Sequence, residues 1–107
     1  MSDYYDRKGN PMTLEDWANV REDKEQCRVA ETTLSDYWIS TVWLGLDHSF
    51  GNSPKQIFET MVFPYNSSSD KVTDWGELDM DRYSTEDEAI AGHKAMVEKW
   101  SKPKAEG

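Results

Sequence analysis

The alternation of apolar and polar positions is strongest in the middle of the chain, where it predicts a β-hairpin. Residues 38–64 contain two apolar runs rich in β-branched and aromatic side chains, separated by a short polar segment with glycine, asparagine and proline. Apolar runs on either side of such a segment are typical of two antiparallel strands joined by a turn. We therefore predict strands at residues 37–47 and 55–63, with Pro64 ending the second. A turn near residues 50–53 would place Leu44 about opposite Glu59.

Helical periodicity appears near both ends of the chain. Thr13 precedes an amphipathic segment at residues 14–24, and a threonine at this position is a preferred helix N-cap. Thr85 and Glu88 form a capping box in front of a second segment, whose apolar positions recur at helical spacing as far as Trp100. These patterns predict an N-terminal and a C-terminal helix.

Two further strands complete the predicted fold, at residues 27–33 and 72–84. The resulting order of elements is α-β-β-β-β-α with short connections, which indicates an α+β fold. We predict an antiparallel sheet of three to four strands with the N-terminal and C-terminal helices packed on one face. Residues 1–107 should form a single domain, with an irregular arm at 1–12 and a loose tail at 101–107.

Composition and charge narrow the classes of partner. The chain has 107 residues, of which 36% are hydrophobic, so one small core is expected. Its formal net charge is −9, from 21 acidic and 12 basic residues. Direct binding to nucleic acid or to an anionic membrane is disfavoured, because each requires a positive surface. A protein partner with a basic groove is correspondingly favoured.

The single cysteine and the polar N-terminus indicate the compartment. Cys27 cannot form an internal disulfide, and we expect a buried, inert thiol in a reducing environment. No apolar run approaches the ~20 residues of a membrane helix, and the first residues do not resemble a signal peptide. We therefore expect the protein in the cytoplasm, and no motif indicates a cofactor.

A series of carboxylates near residue 80 is the first candidate binding surface. Glu77, Asp79 and Asp81 occupy alternate positions, so on a strand they would share one face at a spacing of ~6.6–6.8 Å. This spacing approximates the repeat of phosphates along one nucleic-acid strand. Asp74 and Glu86 extend the acidity on both sides. The series predicts a nucleic-acid mimic that occupies a basic groove, and the alternative is an ordinary solvated strand.

The hairpin carries a second candidate site. Asp47 and His48 lie where the first strand ends, and Glu59 lies on an apolar face of the second. Burying a carboxylate in that position costs several kcal/mol unless it is paired, so we expect Glu59 to have a partner. The candidate partners of Glu59 are His48, His93, Arg28 and Arg82.

The same residues allow an alternative hypothesis of enzymatic function. Asp47, His48, Glu59 and His93 together would suit a small metal-dependent or acid–base hydrolase, although their spacing matches no metal-ligand signature. Against this, His93 lies on the apolar stripe of the last helix, where a neutral, hydrogen-bonded core histidine is the simpler interpretation.

The tryptophans indicate a third possibility. Five tryptophans exceed what a core of this size must hold, so at least one should be exposed. Trp43 is a candidate anchor for a partner, with burial in the core as the alternative. An exposed tryptophan face or sheet edge could also build a homo-oligomer with a structural role.

Four segments of the chain carry a resemblance to known sequences. They are YYDRKGNPMTLEDW, STVWLGLDHSFG, IFETMVF and RYSTEDEAIAGHKAMV. Together they resemble a group of small, mostly uncharacterised proteins of bacteriophage and bacterial genomes, over about residues 3–100. The resemblance implies an accessory protein made inside a bacterial cell, and residues 66–75 and 102–107 look peculiar to this member. We therefore expect a non-enzymatic, phage-type protein that binds a host or phage protein and inhibits a defence or nucleic-acid enzyme through its acidic surface.

Overall fold

The computed structural model describes residues 3–47, 49 and 54–101. β3 (Phe58–Asn66) lies in the middle of an antiparallel sheet. Along one edge it pairs with β2 (Tyr37–Trp43), which separates it from β1 (Arg28–Thr33). Successive parts of its other edge pair with β5 (Asp79–Tyr83) and β4 (Lys71–Val72). The fold is therefore α+β, with an antiparallel sheet, helices in the N-terminal region and a C-terminal helix, as predicted. The helices are α1 (Leu14–Arg21), α2 (Lys24–Cys27) and α3 (Glu86–Ser101).

The predicted hairpin forms between β2 and β3, in a register two residues from the expected one. Val42, rather than Leu44, lies opposite Glu59. The difference arises because β2 ends at Trp43 and the chain then turns at Gly45, which has a φ of 75°. A slip of two residues keeps every side chain on its face, whereas a slip of one would exchange the faces. The face predicted for Glu59 is therefore correct.

Pro64 does not end β3, contrary to the prediction. The strand continues through Pro64 to Asn66. Pro64 lies between the stretch of β3 that pairs with β5 and the stretch that pairs with β4. Its missing N–H consequently removes no bond of either ladder. Its carbonyl accepts a hydrogen bond from the amide of Thr73 at 3.0 Å.

Two predicted elements are each divided in two. The helix predicted for residues 14–24 ends at Arg21, because the carboxylate of Asp23 caps the start of α2 instead of continuing α1. The strand predicted for residues 72–84 consists of β4 and β5 with a loop between them. The loop takes Glu77 off the strand, which matters for the acidic series.

The core lies between α3 and the face of the sheet that it covers. It comprises two apolar clusters, with Cys27 buried as expected in the first. The first is Cys27, Trp43, Ile57, Phe58 and Ala89, and the second is Ile39, Val62 and Met96. No helix in the described part of the chain is long and apolar enough to cross a membrane.

A buried hydrogen-bond network also lies beneath α3. His93 Nδ1 lies 2.7 Å from the hydroxyl of Thr41, and Nε2 lies 2.9 Å from that of Thr32. The Thr41 hydroxyl also bonds Thr60 on the neighbouring strand. Burial lowers the pKa of His93, so the ring is neutral and one nitrogen donates while the other accepts. The structure thus agrees with the interpretation of His93 as a core histidine.

Protonation of His93 should make stability depend on pH. Below its ordinary pKa of about 6.5 the unfolded chain binds a proton that the native state resists, so stability falls as the pH falls. The stabilising contribution is complete above this value and is lost toward the lowered native pKa. Urea unfolding between about pH 5.5 and about 7.5 should give a flatter dependence for His93→Gln than for the wild type. If the free energies of unfolding of the two proteins changed with pH by the same amount, His93 would not be the group responsible.

Two tryptophan rings pack directly against the backbone of Gly45 at one end of the core. A Cβ at this position would overlap the rings of Trp43 and Trp17. Both indoles are fixed by backbone carbonyls: Trp17 Nε1 donates to Leu44 at 2.8 Å, and Trp43 Nε1 donates to Tyr5 at 2.9 Å. The two rings therefore leave no room for a side chain at residue 45, where the positive φ also favours glycine.

Gly45→Ala should destabilise the fold more than the matched change Gly9→Ala. Gly9 also has a positive φ, of 88°, but a Cβ there would meet its nearest atoms at 3.5 Å. We expect Gly9→Ala to cost the backbone strain of about 1–2 kcal/mol, and Gly45→Ala to add about 1–3 kcal/mol of overpacking. Urea unfolding measures both free energies, and equal losses would show that the rings can move aside.

Candidate functional site

The predicted series of three carboxylates does not form on β5. Glu77 precedes the strand, so only Asp79 and Asp81 occupy alternate positions on it. Asp79 accepts hydrogen bonds from Lys99 Nζ at 2.7 Å and Trp100 Nε1 at 3.0 Å. The bond from Lys99 lowers the pKa of Asp79 despite its partial burial. Asp79 therefore fixes α3 to the sheet, and this corrects the prediction of a regular row of free charges.

The two residues expected to extend the acidity also have structural contacts. Glu86 accepts a hydrogen bond from Arg7 Nε at 2.7 Å, which joins the N-terminal segment to the start of α3. Asp74 accepts one from the amide of Gly76 at 2.8 Å and so closes a turn. Two of the five predicted acidic residues, Asp79 and Glu86, are thus neutralised by ion pairs. The acidic surface is weaker than the sequence suggests.

Trp43, the predicted anchor, is buried. Its relative exposure is 1%, and its ring belongs to the first core cluster. The residue lies on the face of β2 that α3 covers, so the alternative of a core tryptophan is correct and the anchor prediction is wrong. An exposed tryptophan does exist, but it is Trp75, with 68% of its surface accessible.

Asp47 organises the loop that follows β2. One of its carboxylate oxygens accepts from the amide of Ser49 at 2.8 Å and from that of Gln56 at 3.0 Å. Asp47 thereby links the two ends of the hairpin connection. His48 lies outside the described residues.

Glu59 forms a buried ion pair, as its apolar surroundings require. Its exposure is 6%, and its Oε2 accepts from Arg82 Nε at 2.9 Å, which confirms one of the predicted partners. Glu59 alternates with Phe58 and Thr60 and so faces away from α3, whereas His93 belongs to α3 and its ring contacts Thr41 on the opposite face of the sheet. The two residues therefore do not share a site. The hydrolase hypothesis required that they should. Among the residues the structure describes, no three histidine, cysteine or acidic side chains are grouped to hold a metal ion.

Removing Arg82 should cost more stability than removing the charge of Glu59. Arg82→Met leaves a buried carboxylate without its partner, and we expect a loss of about 1–3 kcal/mol because Arg82 is itself partly exposed. Glu59→Gln and the double variant should lose less. A double-mutant cycle by urea unfolding gives the coupling free energy, and strictly additive losses would contradict the pairing.

The face of the sheet that carries Glu59, opposite to α3, also carries an aromatic patch made of Trp38, Phe63 and Trp75. Trp38 and Phe63 are opposite each other on β2 and β3, with ring centroids 5.8 Å apart. Trp75 approaches both rings edge-on, at 6.1 Å from Trp38 and 5.2 Å from Phe63. Such edge contacts are favourable beyond the area they bury. The patch is thus a packed aromatic group with one ring largely exposed.

The turn around Trp75 fixes its position. The hydrogen bond from the Gly76 amide to the Asp74 carboxylate closes an Asx-type turn, and Trp75 is the residue between them. Trp75 is not among the residues predicted from sequence, because a single strand over residues 72–84 leaves no turn at this position. A turn signal is present in the sequence, because Trp75 has an aspartate before it and a glycine after it.

A cavity of about 500 Å³ opens beside the aromatic patch. Trp38 and Trp75 form part of its wall, together with Glu31 of β1, Tyr65 of β3 and Lys71 of β4. Its volume falls in the usual range for ligand pockets. The cavity can accept a protruding side chain next to the exposed tryptophan.

A comparison with models of known protein families finds no match for this chain, and neither curated proteins nor solved structures give one. The resemblance to phage proteins therefore stays a prediction. The geometry of the aromatic patch is the main support for a functional proposal.

Proposed function

We propose that this chain is a non-enzymatic accessory protein of bacteriophage type, which acts in the host cytoplasm by binding another protein through the aromatic patch. The observation that carries the proposal is the state of Trp75. Its side chain is 68% exposed, yet it rests on two aromatic rings and is held by a turn. An exposed tryptophan that is already ordered is a suitable binding anchor.

Preorganisation makes Trp75 effective as an anchor. Tryptophan is enriched among interface residues whose truncation costs at least about 2 kcal/mol of binding free energy. Part of the usual cost of association is the ordering of side chains, at about 0.5–1.5 kcal/mol each. The contacts of Trp75 with Trp38 and Phe63 meet much of this cost before the partner arrives.

The charges next to Trp75 indicate the chemistry of the partner. Asp74 and Glu77 are both exposed and lie on either side of the tryptophan in sequence. In a chain of net charge −9, they favour a partner with an apolar pocket bordered by lysine or arginine. The nucleic-acid groove of an enzyme meets this description, and occupying it would inhibit that enzyme.

The proposal concerns this chain more than the group it resembles. Trp75 ends the segment 66–75 that looks peculiar to this member. The other two rings of the patch belong to β2 and β3. We therefore propose that the sheet provides a common platform and that the loop provides the contact specific to this chain.

Trp75→Ala should abolish capture of the partner, whereas Leu14→Ala should not. Leu14 is a matched control because it is also an exposed apolar residue, at 57%, and belongs to α1 rather than to the patch. Affinity capture from a lysate of the source cells, quantified by mass spectrometry, should give one stoichiometric partner with the wild type and Leu14→Ala. We expect at least about a tenfold loss with Trp75→Ala. Unchanged capture by Trp75→Ala, or capture of no such partner by the wild type, contradicts the proposal.

The charge contribution has a separate test. Asp74→Asn removes a charge but keeps the acceptor that closes the turn, so Trp75 stays in place. Combined with Glu77→Gln, it should slow association with the captured partner and reduce its dependence on salt. Binding kinetics measured at two salt concentrations provide the test, and an unaltered salt dependence would exclude a basic partner surface.

A further inference from the structure

A second pocket lies on the other side of Trp38 and has the opposite electrostatic character. Its volume is about 280 Å³, and we call it the basic pocket. Arg21, Lys24 and Arg28 are among the residues that line it, and no carboxylate is among the described residues of its lining. Three cations around one small cavity are unexpected in a chain of net charge −9.

The three cations differ in how far they are already engaged. Arg21 donates one N–H to the carbonyl of Trp43 at 3.0 Å, which fixes the guanidinium and leaves its remaining donors for other partners. Lys24 forms no ion pair within the described residues. Arg28 is paired with Glu31 and lies 5.7 Å from the centroid of the Trp38 ring, so its charge is partly offset.

A serine hydroxyl adds a neutral donor to the basic pocket. Ser40 also lines the basic pocket, and only 7% of its surface is exposed. Its hydroxyl has no hydrogen-bond partner in the part of the chain that the structure describes. Among the described residues the hydroxyl is not one of the fully buried polar atoms without a partner, so it is open to the cavity. It can therefore donate to an acceptor atom of a ligand there.

We infer that the basic pocket binds the phosphate group of a small organic phosphate monoester. Phosphate oxygens accept well from guanidinium and ammonium groups, and a further oxygen can accept from the Ser40 hydroxyl. Trp38, Val42 and Cys27 supply an apolar wall for the organic part of the ligand. The volume lies just below the range of about 300–1,000 Å³ for ligand pockets, which restricts the ligand to a small compound.

This inference goes beyond the proposed function and can fail independently of it. Trp75 does not line the basic pocket, so a variant that loses partner capture need not lose ligand binding. Of the described residues that line the two cavities, Trp38 is the one common to both. The test therefore uses variants on the opposite side of Trp38.

Isothermal titration calorimetry at low salt tests the inference with phenyl phosphate as the probe. Inorganic phosphate lacks the organic part, and phenol lacks the phosphate, so both should bind more weakly than phenyl phosphate. Lys24→Met should weaken binding about tenfold, and Ser40→Ala should weaken it about threefold or more. Lys94→Met is the matched control, because Lys94 is an exposed lysine of α3 without an ion pair among the described residues.

The possible outcomes separate clearly. Saturable binding of phenyl phosphate that is weakened by both pocket variants and unchanged in Lys94→Met supports the site. No saturable binding by the wild type, or equal affinities in all variants, overturns it. Equal binding of phenol overturns the assignment to phosphate, and equal binding of inorganic phosphate overturns the assignment to an organic monoester. Circular dichroism of each variant checks that the fold is intact.

Discussion

The antiparallel pairing of β2 with β3 determines what each face of the sheet presents. Thr41 opposite Thr60, and Trp43 opposite Phe58, lie beneath α3, where they meet the buried His93 and the first core cluster. The residues between them face the other way. The alternation on these two strands thus separates a structural face, stabilised by α3, from a face that carries the ion pair, the aromatic patch and the basic pocket.

This separation explains which parts of the fold could be predicted from sequence. Alternating apolar positions and a turn segment are local signals, so the hairpin, its faces and the paired state of Glu59 followed from them. The capping box before α3 was equally local, and the amide of Glu88 does bond the Thr85 hydroxyl. The effect of Pro64 was not local, because it depended on where β4 and β5 pair with β3.

The candidate site was harder to predict because exposure is a property of the assembled fold. A periodicity of two places Trp43 and Trp38 on opposite faces of β2, but it does not say which face a helix will cover. The acidic series failed for a related reason. Lys99 and Arg7 are distant in sequence from the carboxylates that they neutralise, 20 and 79 residues away respectively. Net charge of the chain therefore gave a poor description of any one surface.

Trp38 connects the two proposed binding features. Its ring lies against Phe63 and Trp75 on one side and near Arg28 on the other, and it borders both cavities. A ligand in the basic pocket that moves Arg28 would change the surroundings of this ring, and hence the support of Trp75. Thermodynamic linkage then requires that a partner bound to the aromatic patch change the affinity of the basic pocket by the same factor. If the Trp38 ring cannot move, each ligand leaves the affinity for the other unchanged and this factor is near one. The size of the factor therefore reports how far the ring can move.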